Sequence, residues 1–153
     1  MKKIFKSNFN QNIIIDDNAK NIFTIPNKEN ISLYRSIQNL LIDACKELSI
    51  NYSSQFYLIS TFKESLEHSM TYDIGFEKML SFYGKFYIDP PKIDSFIINE
   101  KIENVYPEKN DIILIAGKVQ NNITIETKTN YIEFYIGSAG FLKNFEVNSW
   151  LPI

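Results

Sequence analysis

The clearest periodic pattern in this chain lies between residues 31 and 49, where apolar residues recur at helical spacing. The apolar positions are Leu33, Ile37, Leu40, Leu41, Ala44 and Leu48. The positions between them, such as Arg35, Asp43 and Lys46, are polar. One apolar face and one polar face are typical of a helix that lies on a core. The pattern therefore predicts an amphipathic helix, with Asn30 or Ser32 as its N-cap.

Weaker patterns predict two more helices in the first half of the chain. Thr61 and Glu64 have the spacing of a capping box, and apolar residues then recur every four positions to Met70. We predict a second helix at about 61–70. A third, at about 74–83, would present Phe76, Met79, Leu80 and Tyr83 and end at Gly84. The segment Asp89-Pro90-Pro91 should close this helical region.

The rest of the chain favours strands. Near the start, two isoleucine-rich runs, 13–15 and 22–25, predict a strand pair that ends at Pro26. Residues 55–59 are ambiguous between helix and strand. Beyond the two prolines, the β-rich segments are 93–98, 102–106, 111–119, 123–127 and 131–136. Because short turns separate them, we expect antiparallel neighbours in a meander. The unbroken apolar run Ile112–Ala116 indicates a central strand covered on both faces.

Together these elements predict an α+β fold. An antiparallel β-meander from the C-terminal half would pack against about three α-helices from the N-terminal half. The sequence contains no Gly/Ser linker, no charge block and no internal repeat. We therefore expect residues 1–153 to form a single α+β domain, which is an ordinary size for one.

Composition excludes some classes of function. The formal net charge is −2, the estimated pI is about 5.5, and Arg35 is the only arginine. Nucleic-acid binders usually carry a basic patch with arginine forks, so direct nucleic-acid binding is disfavoured. The first residues lack the apolar core of a signal peptide, and no apolar run approaches the length of a membrane span. A lone cysteine, Cys45, fits a reducing compartment, and we expect the cytoplasm.

Candidate catalytic groups are few. Glu64 and His68 would share one face of the second predicted helix, where His68 could be a general base or a metal ligand. No further His or Cys lies close enough in sequence for a zinc motif, so a solvated ion pair is the simpler interpretation. Cys45 adjoins the apolar helical face and should be a buried, inert thiol. The segment 137–140 lacks the Lys-Ser/Thr ending of a phosphate-binding loop. We therefore predict no metal site and no cofactor.

Acidic and tyrosine residues share one side of the last predicted strands. Alternation places Thr124 and Glu126 on one side, and Tyr131, Glu133 and Tyr135 on the same side of the next strand. Tyrosine supplies contact area at low entropic cost, and carboxylates steer a basic partner. An exposed face of this kind would suit the docking of a basic protein. If helices cover the face, the same tyrosines would instead belong to the core.

In size, composition and these acidic, tyrosine-bearing strands, the chain resembles the small immunity proteins of bacterial contact-dependent inhibition and related polymorphic-toxin systems. Five residue types with A/T-rich codons (Ile, Asn, Lys, Phe and Tyr) form 78 of its 153 residues, and such genes are often A/T-rich. The resemblance implies a protein that binds a cognate toxin domain, often a nuclease, and occludes its basic active site. Glu126, Tyr131, Glu133 and Tyr135 would then be toxin-binding residues.

Two alternatives remain open. The first is an enzyme or small-ligand-binding domain centred on His68 and Glu64, with a pocket between helices and sheet. The second is a phage or mobile-element protein that inhibits a host defence complex. It would rely on the same kind of binding surface as an immunity protein and differ only in its target. The sequence leaves the oligomeric state undecided.

Overall fold

A computed structural model describes residues 4–13, 28–52, 56–65, 68–70, 81–117, 119–123, 129–138 and 151–153. In these ranges the chain forms one helix, α1 (Lys28–Glu47), and ten strands. The strands are β1 (Ile4–Asn8), β2 (Tyr57–Ser65), β3 (His68–Met70), β4 (Ser81–Asp89), β5 (Asp94–Ile98), β6 (Lys101–Val105), β7 (Asp111–Ala116), β8 (Val119–Ile123), β9 (Thr129–Gly137) and β10 (Leu151–Pro152).

The strands form two antiparallel sheets. The central sheet has six strands in the order β1-β7-β4-β9-β2-β10, and the outer sheet has four in the order β3-β8-β5-β6. Apart from the hairpin of β5 and β6, neighbours in a sheet are not consecutive in the chain. The hairpin turn is Asn99-Glu100, and both residues have positive φ, 50° and 70°. This conformation matches the right-handed twist of the two strands.

The central sheet is covered on both faces. On one face, α1 packs its apolar side chains against alternate residues of β4, β7 and β9, among them Phe82, Phe86, Leu114 and Phe134. On the other face, β5, β6 and β8 of the outer sheet cover the remaining residues of the same strands. The described residues therefore stack as three layers: helix, central sheet and outer sheet. Each buried strand between them has both faces covered.

Helix α1 confirms the strongest sequence pattern. Leu33, Ile37 and Leu41 are completely buried, and Cys45 is nearly so. The helix ends in a Schellman motif, in which the Ile50 N–H donates to the Cys45 carbonyl at 2.8 Å and Ser49 has a φ of 55°. Its start at Lys28 lies a few residues before the predicted cap.

The prediction of about three helices packed on a meander is wrong. Within the described residues there is one helix, and the segment predicted as the second helix forms β2 and β3. The end of the predicted third helix, residues 81–83, begins β4, whereas residues 74–80 lie outside the described part. Residues 81–87 of β4 are all buried and do not alternate cleanly between apolar and polar, so the spacing of apolar residues there resembled that of a helix.

The expected meander is also wrong, because successive strands change sheets. The predicted strand 111–119 is split at Gly117, whose φ of 114° favours glycine. Before this residue β7 lies in the central sheet, and after it β8 lies in the outer sheet. The strand predicted over 123–127 is seen only at its first residue, Ile123, the last of β8. The predicted strand pair within residues 1–25 lies mostly outside the described residues. By contrast, strands predicted over 93–98, 102–106 and 131–136 correspond to β5, β6 and β9.

Gly84 lies in the middle of β4 and does not cap a helix. It pairs directly with Phe134 on β9. A Cβ atom at this position would lie 2.1 Å from Cε2 of the Phe134 ring and 2.7 Å from the carbonyl oxygen of Ile113. The glycine is therefore needed for the space that it leaves to the phenylalanine ring, not for a turn.

Candidate functional site

The residues predicted to bind a toxin lie mostly in the interior. Tyr131, Glu133 and Tyr135 are on β9 and are all buried, with Glu133 only 2% exposed. Glu126 lies outside the described residues. The three described side chains share one face, as alternation predicts, but the outer sheet covers that face. In this structure they are core residues and offer no surface to a partner.

A second strand mirrors this pattern across the central sheet. On β4, Tyr83, Lys85 and Tyr87 face the outer sheet, and the register pairs them directly with Tyr135, Glu133 and Tyr131. A lysine flanked by tyrosines thus lies opposite a glutamate flanked by tyrosines. Five of these residues, together with Asp94 on β5, form what we call the buried polar cluster. It consists of Tyr83, Lys85, Tyr87, Asp94, Glu133 and Tyr135.

Lys85 forms its ion pair with the outer sheet. Its Nζ lies 2.9 Å from Oδ2 of Asp94, the first residue of β5, and both side chains are completely buried. The Tyr87 hydroxyl donates to the same carboxylate oxygen at 2.5 Å. The ammonium also lies over aromatic rings, 4.3 Å from the Tyr131 centroid and 5.3 Å from that of Phe96. The pair therefore ties the two sheets together.

Glu133 is held by tyrosines from two strands. The Tyr83 hydroxyl donates to Oε2 at 2.9 Å, and the Tyr135 hydroxyl donates to Oε1 at 2.8 Å. Each carboxylate oxygen thus has a hydroxyl donor. A buried carboxylate is expensive unless such bonds replace water, so these tyrosines make the burial of Glu133 tolerable.

Burial shifts the proton affinities of the cluster. Desolvation raises the pKa of Tyr83 well above its usual value, and the nearby Glu133 charge adds to the shift. The pKa of Tyr87 is raised well above the usual value by burial and by Asp94. Desolvation lowers the pKa of Lys85, although Asp94 opposes the change. The two tyrosines are therefore hydrogen-bond donors that keep their protons.

The chemistry of the cluster is structural. Its ionisable groups bind one another, lie inside the protein and belong to three different strands of two sheets. Nothing in these contacts exposes a nucleophile or base to a substrate. Because buried charges must be matched, such a network instead specifies one alignment of the two layers. The sequence pattern Tyr-x-Lys-x-Tyr could have revealed the β4 half, but only once residues 81–89 were assigned to a strand.

The two residues of the enzyme hypothesis belong to different strands. Glu64 lies on β2 in the central sheet, whereas His68 begins β3 in the outer sheet. The helical face that would have aligned them does not exist. Cys45 is buried, as predicted, and burial raises the pKa of its thiol. Among the described residues, no group of three or more His, Cys, Asp and Glu side chains is arranged to hold a metal ion.

The two most exposed large apolar residues of the described chain, Ile102 and Tyr106, lie on the solvent side of the outer sheet. Ile102 on β6 is 72% exposed and pairs with Ile97 on β5. Tyr106 and Ile93, which are 63% and 46% exposed, each lie one residue beyond the end of the same two paired strands. We call these four residues the exposed strip. A hydrogen bond between Ser95 and Asn104 is the polar rung in its middle.

Charged residues of both signs lie around the exposed strip. Between residues 92 and 109 the exposed charged residues are three glutamates, Glu100, Glu103 and Glu108, and three lysines, Lys92, Lys101 and Lys109. Two other acids nearby in sequence, Asp94 and Asp111, are buried and are paired with lysines. The glutamates that reach solvent in this region therefore lie on β6 and its flanks.

A shallow groove of about 330 Å³ lies between the start of α1 and β10. Its lining includes Ile31, Tyr34, Arg35 and Pro152, and the Tyr34 hydroxyl donates to the Pro152 carbonyl. The only arginine of the chain thus lies at a surface groove remote in sequence from the exposed strip. The described residues that line the groove include no cluster of acids or bases that would define a reaction.

No protein-family model matches this chain, and no curated protein matches it significantly. The class of protein must therefore be inferred from its own geometry. The described part contains no helix that is both long enough and apolar enough to cross a membrane.

Proposed function

We propose that this protein is a cytoplasmic immunity protein, which binds and neutralises a bacterial toxin domain of the nuclease type, and that the exposed strip contacts the toxin. The observation that supports the proposal is the gathering of Ile93, Ile97, Ile102 and Tyr106 on one solvent-facing side of a sheet. Contiguous exposed apolar groups commonly mark protein-binding surfaces.

Glutamates near the strip would pair with a basic partner. Glu100, Glu103 and Glu108 lie near it, together with the exposed lysines Lys92, Lys101 and Lys109. An apolar centre would pack against a toxin surface, while the nearby glutamates would attract the lysines and arginines that surround a nuclease site. The toxin-binding surface proposed here replaces the face of Tyr131, Glu133 and Tyr135, which the outer sheet covers.

The enzyme alternative has less support. Its two central residues, Glu64 and His68, lie in strands of different sheets. The ionisable groups of the buried polar cluster form hydrogen bonds and an ion pair with one another. Inhibition of a host defence complex would use the same kind of surface, so the identity of the target separates it from the immunity hypothesis.

The direct test is co-expression with a toxin. We would express the C-terminal domain of the protein encoded immediately upstream, with and without this chain, and count surviving cells. We expect survival only with this chain, and a stable complex by calorimetry of the purified proteins. Absence of both protection and binding would overturn the immunity proposal for that toxin.

Matched variants test the surface. Ile93→Asp on the strip and Ile31→Asp on α1 change isoleucines of nearly equal exposure, 46% and 47%. We expect Ile93→Asp to weaken the complex about tenfold or more, because truncated central contacts typically cost that much. Ile31→Asp should leave the affinity unchanged. The reverse result would place the toxin on the helix side and refute the assignment of the strip.

A further inference from the structure

Strand β6 is an edge of the outer sheet. Within the described residues it pairs only with β5, over the register from Lys101 opposite Ile98 to Val105 opposite Asp94. Its first four residues are all exposed. An edge strand presents a row of backbone N–H and C=O groups that can pair with another strand. The side chains on that edge decide which strand can be accepted.

The side chains of β6 alternate in a way that suits a copy of itself. Ile102 points to the solvent side of the sheet with Ile97, whereas Lys101 and Glu103 are on the other side. A two-fold axis perpendicular to the sheet would place two β6 strands antiparallel and keep their solvent sides together. In such a pair, the residue at the axis faces its own copy.

The charges on β6 favour one position of the two-fold axis, and hence one register, over others. With the axis at Lys101 or at Glu103, two like charges face each other, which is unfavourable. With the axis at Ile102, the two isoleucines meet on the solvent side, and each Lys101 faces the Glu103 of the other copy. This register makes two opposite-charge pairs from the same two residues. Charged edge residues otherwise resist pairing, so they would exclude strands that lack this complementarity.

We propose that a second copy of this chain pairs with β6 along this edge, with Ile102 at the two-fold axis and Lys101 opposite the Glu103 of the other copy. The two outer sheets then become one continuous eight-stranded sheet. The exposed strips of the two copies lie side by side on its solvent face. This self-association does not depend on the proposed toxin binding and occurs without any partner.

A dimer held by one short strand from each copy is weak. Standard interfaces bury roughly 1,600 Å² in total, and a single edge contact falls below that. Sedimentation equilibrium of the full chain across a wide concentration range should therefore show a reversible monomer–dimer exchange. A strictly monomeric protein at the highest attainable concentration would overturn the proposal.

A charge-swap series tests the register. Lys101→Glu and Glu103→Lys each replace both opposite-charge pairs by like-charge pairs, so each should weaken the dimer about tenfold or more. The double variant Lys101→Glu/Glu103→Lys restores the pairs with their signs reversed and should recover the original dissociation constant. Lys92→Glu, an exposed charge change away from the edge, serves as the control. Circular dichroism checks that every variant is folded.

The outcomes separate this inference from the proposed function. Loss in each single variant and recovery in the double variant supports the register. The register is overturned if the dissociation constant of the dimer is unchanged in all three variants, or if the double variant dimerises more weakly than either single variant. Toxin binding by a protein that never dimerises would overturn this inference and leave the proposed function intact. A charge-dependent dimer without any toxin binding would support this inference and overturn the proposed function.

Discussion

The two faces of the central sheet bury different chemistry although the same strands supply both. On the helix side, β4 and β9 contribute Phe82, Phe86, Ile132 and Phe134 to a core of apolar side chains. On the outer-sheet side, alternate residues of those strands contribute the tyrosines, the lysine and the glutamate of the buried polar cluster. One side depends on close packing, and the other also depends on the matching of charges.

This difference indicates how each layer is aligned. An apolar interface tolerates small displacements as long as volume is conserved. A buried ion pair does not, because each partner is costly to bury alone. The Lys85–Asp94 pair joins β4 to β5 and therefore ties the outer sheet, with its exposed strip, to one position on the central sheet. The helix needs no such constraint.

Breaking the ion pair should have the greatest effect. Asp94→Ala leaves the Lys85 ammonium buried without its partner, and we expect the free energy of unfolding to fall by about 3–5 kcal/mol. The variant should recover part of this loss as pH rises from about 7 to about 9. Without Asp94 the pKa of Lys85 falls further, and a lowered lysine pKa makes stability increase with pH. Denaturant unfolding at both pH values measures this.

The double variant Lys85→Met/Asp94→Val is the control for this experiment. It removes both charges, so it should be much more stable than Asp94→Ala alone. If the single variant lost less than about 1 kcal/mol, the pair would not be the constraint that we describe.

On the helix side, Gly84→Ala tests close packing. The new Cβ would overlap the Phe134 ring, and we expect a loss of about 1–3 kcal/mol in unfolding free energy. Adding Phe134→Leu should make the alanine less harmful than it is in the original background, because the smaller side chain leaves room. Equal and additive losses in thermal or denaturant unfolding would contradict the direct contact.

The alkaline stability profile should distinguish the two faces with a smaller effect. Tyr83 and Tyr87 keep their protons in the folded protein above the ordinary tyrosine pKa, whereas the unfolded chain loses them. Their stabilising contribution is therefore complete below about pH 10 and is lost above it. The lowered pKa of Lys85 acts in the opposite direction, but only up to the ordinary lysine value.

Tyr83→Phe should make this alkaline decline shallower by up to about 1.4 kcal/mol per pH unit. Phe82→Leu, on the helix side of the same strand, should lower the free energy of unfolding by an amount that does not change with pH. Unfolding free energies measured at several alkaline pH values give both slopes. Identical slopes in the original protein and in Tyr83→Phe would show that Tyr83 is not protected from ionisation.

Some elements could be predicted from the sequence because their pattern depends on one interface. Helix α1 has one buried face, so its apolar residues recur at helical spacing, and β5 alternates between buried and partly exposed residues. The segment Ile112–Ala116 was correctly predicted as a strand covered on both faces. Strand β4 was missed because double burial removes the alternation that identifies a strand.

The candidate site was less predictable. Alternation placed Tyr131, Glu133 and Tyr135 on one face, and this is what β9 shows. It could not show which layer covers that face, because Lys85 and Asp94, the ion pair that joins the two sheets, are distant from Glu133 in sequence. The position of the exposed strip likewise depends on how the outer sheet packs against the central sheet. Ile102 and Tyr106 are apolar, yet they are exposed because they lie at the edge and solvent side of the outer sheet.

The sequence by itself determined local properties: one amphipathic helix, several strands of the second half, a single cysteine on an apolar helical face and a slight negative charge. These follow from spacing and composition within short segments. Only the tertiary structure decided that the strands divide between two sheets, that Tyr131, Glu133 and Tyr135 are interior, and that β6 is an edge. Those outcomes depend on pairing between residues far apart in the chain, where the energy of matched burial decides the partner.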